Sequence, residues 1–379
     1  MLHEIPSELA SELRLLEFRG PRGLEALEAA LSVTLAVLAA LAVHSDEPWW
    51  AGISAFMVTR ASLSVVLSRG IMRVAGSAIG AAIGVIVVRL FVYQSLPFCL
   101  CLFIVACVGF FGFAISRFSY AWLIGAVTAN LVMLMAFTEP QGVFTIAVDR
   151  VADVVIGTAA SLLVCGLMPA PPNGGAPPAA GRLSPPPLAF WRRRWAAELQ
   201  RWLDGKWRLV MHACRGALTV MLLPALATWL APVSSVTIGL TAVMVMAVPT
   251  DVILEADTRT IVQRSAHRLI GCLLGALLGL ACLFVVGGDF VLWTLLLLAG
   301  VWLCSQIQTG NTGVSYIGTQ ALFAFLMSLV QGQGPPLSIG PGFERLVGVM
   351  SGLSILFVIT LIFSLIPASQ PAVAPVHGD

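Results

Sequence analysis

The sequence predicts an all-α polytopic membrane protein. It would have two tandem repeats of about six transmembrane helices in parallel orientation, joined by a Pro-rich linker and an interfacial amphipathic helix. Three observations carry that prediction. Hydrophobic residues make up 58% of the chain and charged residues 11%, whereas a soluble domain carries about a quarter charged residues. The apolar runs reach the roughly 20 residues that one helix needs to cross a bilayer. Finally, one hydrophobic unit occurs twice. MRVAGSAIGAAIG holds Arg73, Gly76, Gly80 and Gly84, and HRLIGCLLGALLG holds Arg268, Gly271, Gly275 and Gly279 at one constant offset. The pairs Asp149-Arg150 and Glu344-Arg345 stand at that same offset. A second constant offset relates AALSVTL (29–35) to GALTVML (216–222), and GISAFMV (52–58) to GLTAVMV (239–245). Repeats of this kind imply two pseudo-equivalent bundles with a pathway at the seam between them.

Residues 1–25 open the chain. Ile5, Leu9, Leu13 and Leu16 recur at helical spacing among acidic residues, which predicts a short amphipathic helix lying on the cytoplasmic face of the membrane. No cleavable apolar core is evident there.

The first transmembrane repeat covers 26–168, with spans at approximately 26–43, 49–67, 71–91, 96–115, 120–138 and 144–167. The second covers 209–367, with spans at approximately 209–230, 235–250, 268–287, 290–307, 314–330 and 343–366. The second, eighth and eleventh spans are short or interrupted by polar residues. Between the repeats, 169–208 begins with eight prolines from Pro169 to Pro187, a stretch that stays extended. It continues into WRRRWAAELQRWLDGKWRLV, where Trp191, Trp195, Leu199 and Trp202 share one helical face. That pattern fits a helix lying in the membrane interface, aromatic toward lipid and basic toward anionic headgroups. Residues 368–379 would form a cytoplasmic tail.

Charge distribution orients the chain. With a cytoplasmic N-terminus and a reversal at each span, only Arg89, Arg150 and Arg345 of the 21 Lys/Arg residues fall on the outer side. This positive-inside bias puts both termini in the cytoplasm and gives both repeats the same orientation.

The segment PWWAGISAFMVTRASLSVVLSRGIMRVAGSAIGAAIG (48–84) resembles the signature region of the fusaric acid resistance protein-like family. That family overlaps the aromatic acid exporters and is distantly similar to plant aluminium-activated malate transporters. The Trp-rich opening of the second span, the Ser-Arg then Arg-x-x-Gly spacing and the Asp-Arg that opens the sixth span carry the resemblance. It covers about residues 26–168 and, more weakly, 211–366. It implies a bacterial inner-membrane exporter of aromatic or other organic acids, whose long members often work with a periplasmic adaptor protein. The chain departs from those members in its short linker and in Arg60-Ala61, where many relatives have Gln-Pro.

Several residues are chemical candidates. Glycines four apart on one helix face let a neighbouring backbone approach, which assigns Gly76, Gly80, Gly84, Gly271, Gly275 and Gly279 to packing. Arg73 and Arg268 are expected at the cytoplasmic ends of their helices, either snorkelling to headgroups or, with Arg60 and Arg69, drawing anions to a mouth. Asn130, Gln306 and Gln320 stand inside spans, where they either join helices or donate hydrogen bonds to a carboxylate in transit. Asp149 and Glu344 suit a helix's first turn. Asp153 lies deeper, within reach of Asp149 and Arg150. An intramembrane carboxylate costs about 2.5–3.5 kcal/mol even on lenient scales. Asp153 is therefore a proton-coupling candidate, with Asp149, Arg150, Glu344 and Arg345 as its local or repeat partners; a static Arg150–Asp153 ion pair is the alternative.

No nucleotide-binding loop, metal-ligand cluster or nucleophile–base spacing stands in the sequence, so no enzyme, cofactor or nucleic-acid partner is expected. The leading expectation is secondary-active, possible proton-coupled efflux of organic acids, aromatic carboxylic acids first among them. An anion channel or uniporter, or a non-transporting scaffold of an envelope assembly, are the alternatives. The expected partners are a small organic acid, the bilayer, a periplasmic adaptor and a second copy in a homodimer.

Overall fold

The computed structural model describes residues 5–59, 63–136, 140–168, 209–223, 241, 243, 245–246, 250–310, 313–332, 334 and 340–364. The Pro-rich linker, the Trp/Arg segment and the tail predicted above lie outside them, as does Arg60.

The described residues are almost wholly helical. In chain order the helices are α1 (Ile5–Arg14), α2 (Pro21–Ala42), α3 (Trp49–Val58), α4 (Leu63–Phe91), α5 (Ser95–Ile115), α6 (Ser119–Ala136), α7 (Val143–Leu167), α8 (Leu209–Met221), α9 (Thr250–Val286), α10 (Phe290–Gln308), α11 (Ser315–Leu329) and α12 (Gly340–Ser364). Among the described residues, seven helices are long and apolar enough to cross a membrane. Their outer surfaces are apolar: Ile71, Ile79, Ile83, Ile86 and Leu90 of α4, and Leu100, Ile104 and Val108 of α5, are all exposed. An apolar surface of that extent suits lipid and not water.

Local chemistry explains the helix ends. Pro21 starts α2 at a position whose N–H has no partner in a helix. Asp289 caps α10, its carboxylate accepting from the backbone N–H groups of Val291 and Leu292 at 2.8 and 3.0 Å. Gly287 and Gly288 turn the chain between α9 and α10 with φ of 54° and 92°, where a side chain would be strained.

Two predicted spans change shape. The second was expected over 49–67, but α3 stops at Val58 because Thr59 turns extended (ψ 128°). The next helix then starts at Leu63 and absorbs residues expected to belong to its predecessor. In the second half α9 begins at Thr250 and runs for 37 residues, so the expected break between spans 235–250 and 268–287 is largely helix.

The glycines bring backbones together. A Cβ on Gly76 would meet the Ala121 carbonyl oxygen at 2.6 Å, and one on Gly271 would meet that of Ile317 at 2.6 Å. On Gly80 and Gly275 it would collide with the carbonyls of Gly125 and Ala321. Gly84 and Gly279 abut the side chains of Val132 and Ser328. Thus α4 seats α6 as α9 seats α11.

The halves also interlock. One buried cluster joins Val33 and Val37 of α2 and Phe56 of α3 to Leu297 and Val301 of α10 and Phe325 of α11. The other joins Leu102 and Phe110 of α5 and Met133 of α6 to Ala213 and Ala217 of α8. The opening helix of each half therefore packs on the other half's helices.

The N-terminal helix has a seat on the second half. α1 docks on protein: Ile5 is buried among Ile307, Val314 and Ile317. Buried Glu12 pairs with Arg22 at 2.6 Å, and Arg22 donates to the Gln306 carbonyl at 2.8 Å.

Candidate functional site

Three helices of the first half frame the site. The Ser54 hydroxyl of α3 meets Arg73 of α4, while Gly70 of α4 approaches Val58, so α3 and α4 run antiparallel. Ser161 of α7 bonds Thr59, and Gly157 abuts Ala51 and Ser54, so α7 runs with α3. Together with α6 these helices enclose a narrow cavity of about 60 Å³. Trp50, Arg73, Tyr120, Thr128 and Arg150 line it, and Phe323 of α11 closes one wall. This cavity lies within the first half and is touched by the second at Phe323.

Arg73 does not snorkel. The ten residues of α4 that precede it place it about 15 Å along the helix, and it is only 5% exposed. Its Nη1 donates to the Tyr120 hydroxyl at 2.7 Å and its Nη2 to the Ser54 hydroxyl at 3.2 Å, while Nε has no acceptor. Among the described residues no carboxylate pairs with Arg73. A buried charge held only by neutral groups is costly, and an anion in the cavity would offset that cost.

Arg150 is also buried but is neutralised. Its Nη2 lies 3.1 Å from Asp153 and its Nη1 lies 3.1 Å from Glu47, with the Trp50 ring 5.3 Å from its guanidinium carbon. The Ser45 hydroxyl donates to the other Asp153 oxygen at 2.7 Å. The ion pair expected from the i, i+3 spacing is thus present, and two further partners come from the connection between α2 and α3. Asp149 is half-buried outside this cluster.

The second half repeats part of this arrangement. Arg268 is buried and donates to the Gln320 side-chain oxygen and, at 3.1 Å, to the Thr241 hydroxyl. Thr241 stands where the second sequence offset places Ser54. Arg264 lies over the Tyr316 ring at 4.3 Å, as Arg69 lies over Tyr120 at 5.9 Å. Arg268 and Gln320 do not line the cavity. The expectation that Arg268 reaches headgroups fails for the same reason as for Arg73. At the position of Asp153 the second half has buried Gly348; the side chains of Glu344 and Arg345 lie outside the described residues.

Of the remaining polar candidates, Asn130 bonds within its own helix and Gln306 ties α10 to the segment before α2. Asn130 donates to the Ala126 carbonyl at 2.9 Å. Gln306 donates to the Glu17 carbonyl at 2.7 Å. Neither lines the cavity. Sequence reasoning missed Ser45, Glu47, Ser54 and Tyr120, whose roles depend on contacts between helices. It also missed Glu28, a buried carboxylate of α2 bonded to the Cys165 thiol. A charged residue inside the 26–43 apolar run was the available signal.

A multi-pass membrane protein with a buried cationic cavity is the class that these features define. Comparison with known proteins narrows it: the chain belongs to the fusaric acid resistance family. The model of the fusaric acid resistance protein family matches residues 24–184, and that of the fusaric acid resistance protein-like family matches 225–359. The chain is 29% identical over 149 residues to a protein of Escherichia coli strain K12 described as "Uncharacterized transporter YdhK", covering 38% of this chain and 21% of that one. To the protein of the same description from Salmonella typhimurium strain LT2 it is 27% identical over 157 residues, 40% and 23% of the two chains. The chain thus spans about a fifth of the length of these curated relatives. No solved structure matches it. Both relatives carry the description of a transporter.

Proposed function

We propose that the protein exports organic acid anions, aromatic carboxylates foremost, across a bacterial inner membrane, with both termini in the cytoplasm. The observation that carries this reading is Arg73: a buried guanidinium with neutral partners, facing a cavity lined by Trp50 and Tyr120. A carboxylate would complete its charge pairing while an aromatic body rests on the rings. An anion leaving an interior-negative cell gains about 2.3 kcal/mol per 100 mV, so voltage alone drives export. Asp153 adds proton coupling in this proposal, taking up a proton whenever Arg150 is engaged elsewhere.

The test is benzoate flux in proteoliposomes at clamped voltage, with and without a pH gradient. Wild type should carry benzoate and respond to the gradient. Asp153→Asn should keep voltage-driven flux and lose that response. Flux insensitive to pH in wild type would favour uniport; no flux from folded protein would leave the scaffold reading. A periplasmic adaptor and a homodimer remain parts of the proposal, to be sought by cross-linking in cells.

A further inference from the structure

The two carboxylates that neutralise Arg150 are held very differently. Asp153 is 1% exposed, is fixed by the Ser45 hydroxyl, and rides on the same helix as Arg150. Glu47 comes from the connection before α3, and its side chain is 34% exposed. One oxygen of Glu47 serves two donors, lying 3.1 Å from Arg150 Nη1 and accepting from Trp50 Nε1 at 3.0 Å. The Arg150 contact is electrostatic only, because neither Nη1 nor Nε finds a hydrogen-bond acceptor. A bidentate carboxylate on a guanidinium is much the stronger arrangement, and Glu47 does not achieve it.

We propose that Arg150 and Trp50 form a second carboxylate-binding site at the outer end of the cavity, which Glu47 fills when no anion is present. The departing anion takes Arg150 Nη1 and Trp50 Nε1 from Glu47 and also accepts from the unpartnered Arg150 Nε; the return of Glu47 expels it. This inference rests on the reading that the cavity carries organic anions. The spacing supports a transfer. Arg73 is bonded at Ser54 and Arg150 lies over Trp50, and those two α3 residues are one helical turn apart, about 6 Å. A carboxylate moving that far exchanges one buried guanidinium for another, and both line the same cavity. Glu47 is the displaceable partner because it is tethered outside the helices, whereas Asp153 stays to hold the charge of Arg150 when the site is empty.

The experiment uses the full chain purified in detergent, with sodium benzoate as probe and thermal stabilisation as the binding readout. An internal competitor that fills the site about nine-tenths of the time weakens apparent affinity about tenfold. Glu47→Gln should therefore bind benzoate about tenfold tighter than wild type, and in proteoliposomes show a lower KM with a several-fold lower turnover. Glu47→Asp, which keeps the charge, should stay near wild type. Folded Glu47→Gln protein with unchanged, weaker or absent benzoate binding overturns the proposal. Tighter binding by Glu47→Gln with no flux in wild type would uphold the site and remove the export reading.

Discussion

In the first half, Arg73 faces a cavity and holds two hydroxyls; in the second, Arg268 holds the Thr241 hydroxyl and the Gln320 amide oxygen away from that cavity. The frames around them agree. Each arginine begins a glycine-lined helix face, and each of those helices seats a partner by backbone contact. One turn away the halves part: Asp153, Arg150 and Glu47 form a charged cluster in the first, while the second has Gly348 in place of Asp153. The shared frame is helix packing; the difference is confined to the charges placed on it. Duplication can therefore preserve a scaffold while leaving its polar positions free to diverge.

The largest expected effect would be equal in the two halves. Gly80→Leu and Gly275→Leu each drive a side chain into a facing backbone and should cost about 3 kcal/mol or more. Both should lose the monodisperse peak on size exclusion; survival of one alone would show that the frames are not equivalent. Next, Gly348→Asp puts a carboxylate where the second half has none. It should cost about 2.5–3 kcal/mol, read as a lowered Tm.

Arg73→Ala should lower benzoate flux at least thirtyfold, about 2 kcal/mol of lost stabilisation. Arg268→Ala, in protein shown to be folded, should lower it less than about threefold. Equal losses would mean that facing the cavity is not what distinguishes the two arginines. The smallest effect separates their partners. Tyr120→Phe removes one hydrogen bond to a charged group, about 1.5 kcal/mol, and should reduce flux roughly tenfold. Gln320→Leu should change Tm and leave flux near wild type.

The helical class and the glycine contacts were legible because they are written in periodicity within single segments. The Arg150–Asp153 pair was legible for the same reason, being three residues apart on one helix. Contacts that depend on how helices meet were not. Nothing in the spacing of Ser54 or Tyr120 says that they share Arg73, and Glu47 looked like an ordinary loop acid until the chain brought it to Arg150. Placing Arg73 at a helix end failed because Thr59 ends α3 early and lets α4 begin at Leu63.

The seat of the N-terminal helix lies far along the chain. Ile5 is covered by Ile307, Val314 and Ile317, and the Glu17 carbonyl is held by Gln306, 289 residues later. At the roughly 5–20 residues per second of protein synthesis, on the order of 15–60 s separates the emergence of this helix from that of its docking site. For that interval the helix is an amphipathic segment without its docking site, open to chaperones and to the membrane surface. Its docking is then a late event of assembly, and protection of Ile5 from proteolysis would report that residues 307–317 have been made and folded.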